Sequence, residues 1–277
     1  MPLKGRDFLS VGDLTSDELA AVIDLAGRMK AGEQSKPLAG KSVALLFEHP
    51  SLRTRTTFEV GIFQLGGQPV TLPQETYQPG QREPLADIAR NLERWVHAIV
   101  ARVRAHATLV ELAKWSKVPV INALSNREHP CQVLADMLTV KERLGTFKGS
   151  TLLFCGDGNN VCHSLLLVCA RLGMNVCVAS PPGYWPLDDI VSRAMDDAGR
   201  QGSFVRVAEH PEEFLGQADV IYTDVWTSMG QEGEADTRRE VFGQRYQVNA
   251  ELLAKAKPSA FVMHDLPAHR GEEITDE

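Results

Sequence analysis

Short apolar runs alternate along this chain with longer stretches of helical periodicity, and that alternation limits its fold more than any other feature. Strands separated by helices rather than by tight turns pair in parallel, because a parallel pair needs a crossover connection. In the first half the pattern predicts strands over 42–47, 68–71, 97–103 and 118–122, with helices over 15–30, 53–65, 84–94, 108–116 and 130–144. A break falls at Gly145-Thr146-Phe147-Lys148-Gly149. The second half predicts strands over 151–155, 175–179, 203–207, 219–223 and 259–264, with helices over 160–172 and near 187–199 and 248–256. The expected fold is α/β, with two doubly wound domains, each a central parallel sheet flanked by helices. Helix 130–144 would join a domain of residues 1–144 to one of residues 145–277, with a small-molecule site in the cleft between them.

Composition narrows the function classes. The 277 residues are 43% hydrophobic and 23% charged, an ordinary globular balance sufficient for one large or two ordinary domains. The net charge of -7, with no basic block, argues against a nucleic-acid partner. No apolar run approaches a membrane span, and Met1-Pro2-Leu3-Lys4-Gly5-Arg6-Asp7 does not read as a signal peptide. Cys131, Cys155, Cys162, Cys169 and Cys177 form no CxxC pair and mostly lie in apolar contexts, which predicts reduced core thiols rather than disulfides or zinc ligands.

The most informative stretch is Phe47-Glu48-His49-Pro50-Ser51-Leu52-Arg53-Thr54-Arg55-Thr56-Thr57. It lies between the apolar run 43–47 and the helical pattern Phe58, Ile62, Leu65, so Ser51 stands at a helix mouth. A plain N-cap explains Ser51, but two arginines at the positive end of a helix dipole call for something negative nearby. Unpaired N–H groups, guanidinium groups and hydroxyls together make a site for a phosphate-like anion.

Four further clusters end predicted strands or open predicted helices. His129-Pro130-Cys131-Gln132 places Pro130 at a first helical position, so His129 and Gln132 either bond a small polar group or simply start a helix. Gly156-Asp157-Gly158-Asn159-Asn160 has incomplete GxGxxG spacing, so Asn159 and Asn160 read as contacts to a small ligand rather than a dinucleotide turn. Asp224 follows the strand Val220-Ile221-Tyr222 and precedes Ser228-Met229-Gly230, which reads as a mobile loop. His264-Asp265-Leu266-Pro267 is either an ordinary strand-ending loop or a sharp turn with a cis bond before Pro267.

Together these residues resemble the carbamoyltransferases. Ser51-Leu52-Arg53-Thr54-Arg55 is similar to the family's Ser-x-Arg-Thr-Arg motif, and His129-Pro130-Cys131-Gln132 to its His-Pro-x-Gln motif. Asp157-Gly158-Asn159-Asn160 and Asp224 with Ser228-Met229-Gly230 resemble the ornithine branch. The resemblance implies transfer of a carbamoyl group from carbamoyl phosphate to the δ-amine of L-ornithine, giving L-citrulline and phosphate in arginine metabolism. It implies no metal or organic cofactor, no nucleic-acid or membrane partner, a cytoplasmic location and a homotrimer. Carbamoyl phosphate would be held by Ser51, Leu52, Arg53, Thr54, Gln78, Arg102, His129 and Gln132, with Asp265 and Leu266, and ornithine by Asn160, Asp224, Ser228 and Met229. Arg102, His129 and Asp265 would be catalytic.

Three departures from the family stand out. Its ornithine branch reads His-Cys-Leu-Pro where this chain has Asp265, a second carboxylate near Asp224 that would hold an amine as ammonium, repel carbamoyl phosphate, or accept the proton. The family continues into a last helix beyond the position of Glu277; if Glu277 is the natural end, apolar residues of the first helix (Leu19, Val22, Ile23, Leu25, Ala26) are expected at the surface. Gln81-Arg82-Glu83-Pro84 stands where relatives carry a lysine and a serine, and Arg82 keeps the charge but not the geometry. Asp265 leaves two alternatives open: a carbamoyltransferase for another amine, or a poorly active homologue.

Overall fold

The computed structural model describes residues 3–73, 83–228, 230–243 and 245–277. Gln78, Gln81, Arg82 and Met229, all singled out above, lie outside the described residues. The chain divides into two compact units, Met1–Leu134 and Ala135–Glu277, and the division falls inside one helix, α5 (Pro130–Leu144).

The first unit is built on four parallel strands, β1 (Ser42–Phe47), β2 (Gln68–Thr71), β3 (Ala98–Arg102) and β4 (Val120–Leu124), in the order β2-β1-β3-β4. Its helices are α1 (Ser16–Lys30), α2 (Leu52–Gln64), α3 (Leu85–Leu92), α4 (His106–Trp115) and the start of α5. Strand periodicity decides which core each side chain enters. Ala44 and Leu46 of β1 pack with Ile99 and Ala101 of β3 and with Ile88, Ala89 and Leu92 of α3. The alternate residues Val43, Leu45 and Phe47 pack with Val100 and with Ile62 of α2. Fully burying each larger side chain of this kind contributes about 1.5–3 kcal/mol. Helix α1 starts at a reciprocal capping box between Thr15 and Glu18, buries Leu19 and Ile23, and leaves Val22, Leu25 and Ala26 partly exposed.

The second unit has five parallel strands, β5 (Thr151–Cys155), β6 (Asn175–Ala179), β7 (Val205–Ala208), β8 (Val220–Thr223) and β9 (Phe261–His264), ordered β7-β6-β5-β8-β9. Helices α6 (Asn160–Leu172) and α7 (Asp188–Gln201) each end at a glycine in the left-handed region, Gly173 at φ +74° and Gly202 at φ +73°. Two short helices follow, α8 (Ala235–Phe242) and α9 (Ala250–Leu253).

The expected α/β class with two parallel sheets is what the chain forms. Boundaries differ by a few residues, and α9 is a single turn capped by Asn249 where 248–256 was expected. Helix α8 was not anticipated, because Ala-Asp-Thr-Arg-Arg-Glu-Val-Phe buries only Arg238 and Phe242 and so shows no apolar stripe. All five cysteines are free, four of them buried. Among the described residues no helix is long and apolar enough to cross a membrane.

In each sheet the chain winds outward from a middle strand in both directions. The reversal falls between β1 and β3 in the first unit and between β5 and β8 in the second. Loops leaving the carboxyl ends of strands at such a reversal diverge and leave room for a ligand.

Candidate functional site

Both reversals are lined by the clusters that stood out in the sequence. In the first unit Phe47 and Arg102 are register partners at the ends of β1 and β3. The chain then runs to Ser51, which caps α2 in an extended conformation without a side-chain cap bond, and the first turn holds no acidic residue. The helix therefore presents its N–H groups and the positive end of its dipole undiminished. Buried Arg102 reaches across to this turn and donates from Nη1 to Thr54 Oγ1 at 2.9 Å. The loop is tied down by the Glu48 N–H on the Arg102 carbonyl (2.9 Å) and the Arg104 N–H on Glu48 Oε2 (2.6 Å).

The two arginines of the motif separate. Arg53 is exposed and makes no ion pair among the described residues. Arg55 turns back to Glu59, with Nε 2.9 Å from Oε1, and Thr71 Oγ1 donates to the same oxygen at 2.6 Å. The Thr71 bond first, and then Arg55, hold the Glu59 carboxyl below its ordinary range. Beside β3, Arg102 is in register with Leu124 of β4, and the chain enters α5 shortly beyond, with His129 buried at its mouth and Gln132 half-buried. Ser51, Thr54, Arg102, His129 and Gln132 thus lie at one edge of one sheet, a set of donors suited to a small anion.

The second reversal has the opposite character. Cys155 of β5 and Thr223 of β8 are register partners, and the loops beyond them carry Asp157, Asn159, Asn160 and Asp224. Asn159 is a cap: its Oδ1 accepts the N–H groups of Val161 (3.0 Å) and Cys162 (3.1 Å), while its Nδ2 donates to Asp224 Oδ2 at 2.7 Å. Asn159 thus holds Asp224 with the same side chain that caps α6. Asn160 Oδ1 lies 3.0 Å from the Val161 N–H. At Gly158 a Cβ would lie 2.2 Å from the Pro186 nitrogen, so only glycine lets this turn pack against the 184–186 segment.

Asp224 is buried, accepts the Val225 N–H on Oδ1 at 2.7 Å, and is hydrogen-bonded to Asp265, which follows β9. Burial and then Asp265 drive the Asp224 carboxyl well above its ordinary range, against the opposing Asn159 and Val225 donors. A hydrogen bond between two carboxyls needs a proton on one of them, so the pair shares a proton. His264 joins them: Nε2 is 3.0 Å from Glu273 Oε1 and Nδ1 is 3.5 Å from Asp265 Oδ1. Burial opposes its charge, but Asp265 and Glu273 outweigh burial and push the imidazole up to about 9. The Leu266 N–H, 2.9 Å from Nδ1, fits a neutral ring better and opposes that rise; the surrounding carboxylates set the net direction. Leu266 has φ +62° and precedes a cis bond to Pro267, the sharp turn weighed from the sequence.

Ligand atoms of Asp224, His264 and Asp265 lie within 4.8 Å of one another, a spacing a metal could use. Both nitrogens of His264 are already engaged, by Glu273 and by the Leu266 N–H, so the donor set suits a hydrogen-bonded acid cluster better than a metal. Beyond Asp224, the Ser228 N–H donates to Gln231 Oε1 at 3.0 Å. Among the described residues Trp226 Nε1 and Thr227 Oγ1 are buried without a hydrogen-bond partner.

Two participants were not legible in the sequence. Glu273, fully buried behind His264, lies in a charged tail with no flanking motif. Arg238 is buried on α8, with Nη1 2.8 Å from both Asp157 Oδ2 and the Trp226 carbonyl. Burial opposes its charge, but Asp157 and Glu234 hold it protonated. Burial pushes the Asp157 carboxyl up, against the opposing pull of the Arg238 guanidinium. The short bond favours the ion pair at neutral pH.

Comparison with known proteins matches each unit to a domain. Residues 6–142 match the carbamoyl-P binding domain of aspartate/ornithine carbamoyltransferase, and residues 148–277 match its Asp/Orn binding domain. The ornithine carbamoyltransferase of Methanothermobacter thermautotrophicus is 52% identical over 273 residues, covering 98% of this chain and 89% of the relative. That of Symbiobacterium thermophilum is 50% identical over 279 residues, covering 99% and 90%. The solved ornithine carbamoyltransferase from Pyrococcus furiosus superposes with a TM-score of 0.95 at 45% identity, covering all of this chain and 89% of that one. With one unit matched to the carbamoyl-P binding domain and the other to the Asp/Orn binding domain, the chain belongs to the aspartate/ornithine carbamoyltransferase family.

Proposed function

We propose that this protein transfers the carbamoyl group of carbamoyl phosphate to the δ-amine of L-ornithine, giving L-citrulline and phosphate. The observation that carries the reading is the acidic end of β8 and β9, where Asp224 and Asp265 suit a cationic substrate, in a domain matched to amino-acid binding. Ser51, Leu52 through its N–H, Arg53, Thr54, Arg102, His129 and Gln132 hold carbamoyl phosphate, with Gln78 assigned from the family resemblance and Asp265 and Leu266 through their main chain. Asn160, Asp224, Ser228 and Met229 hold ornithine.

In the reaction the amine nitrogen bonds to the carbamoyl carbon, the carbon–oxygen bond to phosphate breaks, and phosphate leaves with that electron pair. Arg102, Thr54 and His129 are fixed donors for the charge that builds on the carbonyl oxygen and then on phosphate. The amine must attack unprotonated, and its proton passes to the Asp224–Asp265 pair, with Asp265 the acceptor. The pair takes the proton lost before attack, and the second proton, released from nitrogen as the new bond forms, goes to the departing phosphate, so the transfer balances.

A homotrimer, a cytoplasmic location and a place in arginine biosynthesis complete the reading. Exposed Leu52 and Phe63 on α2, 79% and 74% accessible, support a partner surface on the first unit. Asp265 favours a second reading, a carbamoyltransferase for another amine. Both are tested by product formation from carbamoyl phosphate with ornithine, lysine, putrescine or aspartate. Citrulline from ornithine alone is expected. A faster product from another amine establishes the second reading, and no product from any amine overturns both.

A further inference from the structure

We infer that Arg238 is a positioning residue for the amine half of the reaction, a buried clamp that fixes the spacing between the two loops flanking Asp224. The inference rests on the ornithine reading of that site. The guanidinium is 5% exposed and stands where three segments of the second unit meet. Nη1 donates to Asp157 Oδ2 at 2.8 Å in the loop after β5 and to the Trp226 carbonyl at 2.8 Å in the loop after β8. Nε donates to Glu234 Oε2 at 3.1 Å, and the guanidinium carbon lies 4.9 Å from the centre of the Tyr184 ring.

The Asp157 arm leads to Asp224 through Asn159, and the Trp226 arm holds the loop that Asp224 begins. The Asp157 carbonyl accepts the Asn159 N–H at 2.7 Å, and Asn159 holds Asp224 at 2.7 Å. Trp226 is two residues beyond Asp224, and its ring stacks on Phe242 of the same helix α8, with centroids 5.5 Å apart. Tyr184, beneath the guanidinium, accepts the Gly158 N–H on its carbonyl at 2.8 Å. Nη1 alone bridges the two loops while Nε holds Glu234, the cap residue before α8, so a branched donor is needed to span all three acceptors. Lysine offers the charge without the fork, and a neutral residue leaves Asp157 buried and uncompensated.

The clamp predicts a split between the substrates, since the residues proposed for phosphate binding in the first unit share no bond with Arg238. Arg238→Lys and Asp157→Asn are compared with the unaltered protein. Expected is a rise of about tenfold or more in KM for ornithine, with the inhibition constant of inorganic phosphate within about twofold of the original. Amide exchange is expected to speed up in 157–160 and 225–228 but not in β5 or β8. Equal changes in ornithine KM and phosphate inhibition accompanying a lower Tm would mean a generally structural arginine, and overturn the inference. So would unchanged exchange in both loops. The exchange measurement needs no turnover, so it tests the clamp even if the unaltered protein makes no citrulline, the result that instead defeats the ornithine reading.

Discussion

The two sheet reversals share a topology and differ in electrostatics. At the first, α2 begins with an uncapped N-terminus, an exposed Arg53 and a buried Arg102 aimed at its first turn. At the second, α6 begins with its N-terminus closed by Asn159, and the same asparagine holds a carboxylate. A helix dipole left open attracts an anion, whereas a dipole already closed by a side chain leaves the neighbouring acids to define the site. One architecture thus offers an anion seat and a cation seat, and the choice is made by whether the capping residue uses its side chain.

Substitutions can break this contrast at either end. The largest loss is expected for Arg102→Met, which removes a fixed donor from the anion seat and should lower kcat by about 10²–10³-fold in a citrulline assay. A loss under about threefold would remove Arg102 from the catalytic set. Asp224→Asn comes next, with KM for ornithine rising by about 30- to 100-fold while phosphate inhibition stays constant. Arg53 and Arg55 sharpen the anion side. Arg53→Gln should raise KM for carbamoyl phosphate by about tenfold, and Arg55→Gln by less than about threefold, because Arg55 is engaged with Glu59. Equal effects from the two would show that Glu59 does not sequester Arg55.

Smaller effects are expected where this chain departs from its relatives. A carboxylate is a weaker base than a thiolate, and one that shares a proton with Asp224 is weaker still. Asp265→Cys should therefore raise kcat/KM for ornithine at neutral pH by about three- to tenfold, and Asp265→Asn should lower it. A decrease in both variants would mean that the carboxylate suits the reaction as it stands. Stability should carry the mildest signature. A histidine raised from 6.5 to about 9 binds its proton more tightly when folded. Its contribution is complete below about pH 6.5 and is lost as pH rises through 9. Urea midpoints followed from pH 6 to 10 should decline less steeply in His264→Gln, and parallel profiles would show that His264 does not titrate in that window.

Much of this was legible in the sequence, for physical reasons. Strands such as 42–47 and 151–155 are buried on both faces and read as apolar runs, and the polar clusters follow them directly. Less legible was what each polar residue does once there. Arg53 and Arg55 look alike in the motif, and only Glu59, one turn on, separates them. Asn159 and Asn160 both looked like ligand contacts, whereas Asn159 is engaged three times within the protein. Helix α8 escaped notice because its buried face is a guanidinium and one phenyl ring. The His264–Glu273 pair crosses a turn whose path no local pattern announces.

The cysteines have a practical consequence. Burial pushes the Cys131 and Cys177 thiols up to about 12, and moves Cys155, Cys162 and Cys169 further in the same direction. Alkylating reagents attack the thiolate, so the folded chain should be almost inert to iodoacetamide. Alkylation of Cys155, Cys162, Cys169 or Cys177, all buried in the second unit, then reports an opening of that unit, with half-buried Cys131 of the first unit as the internal reference. Mapped by mass spectrometry, the four buried thiols become a built-in clock for how often the second unit breathes.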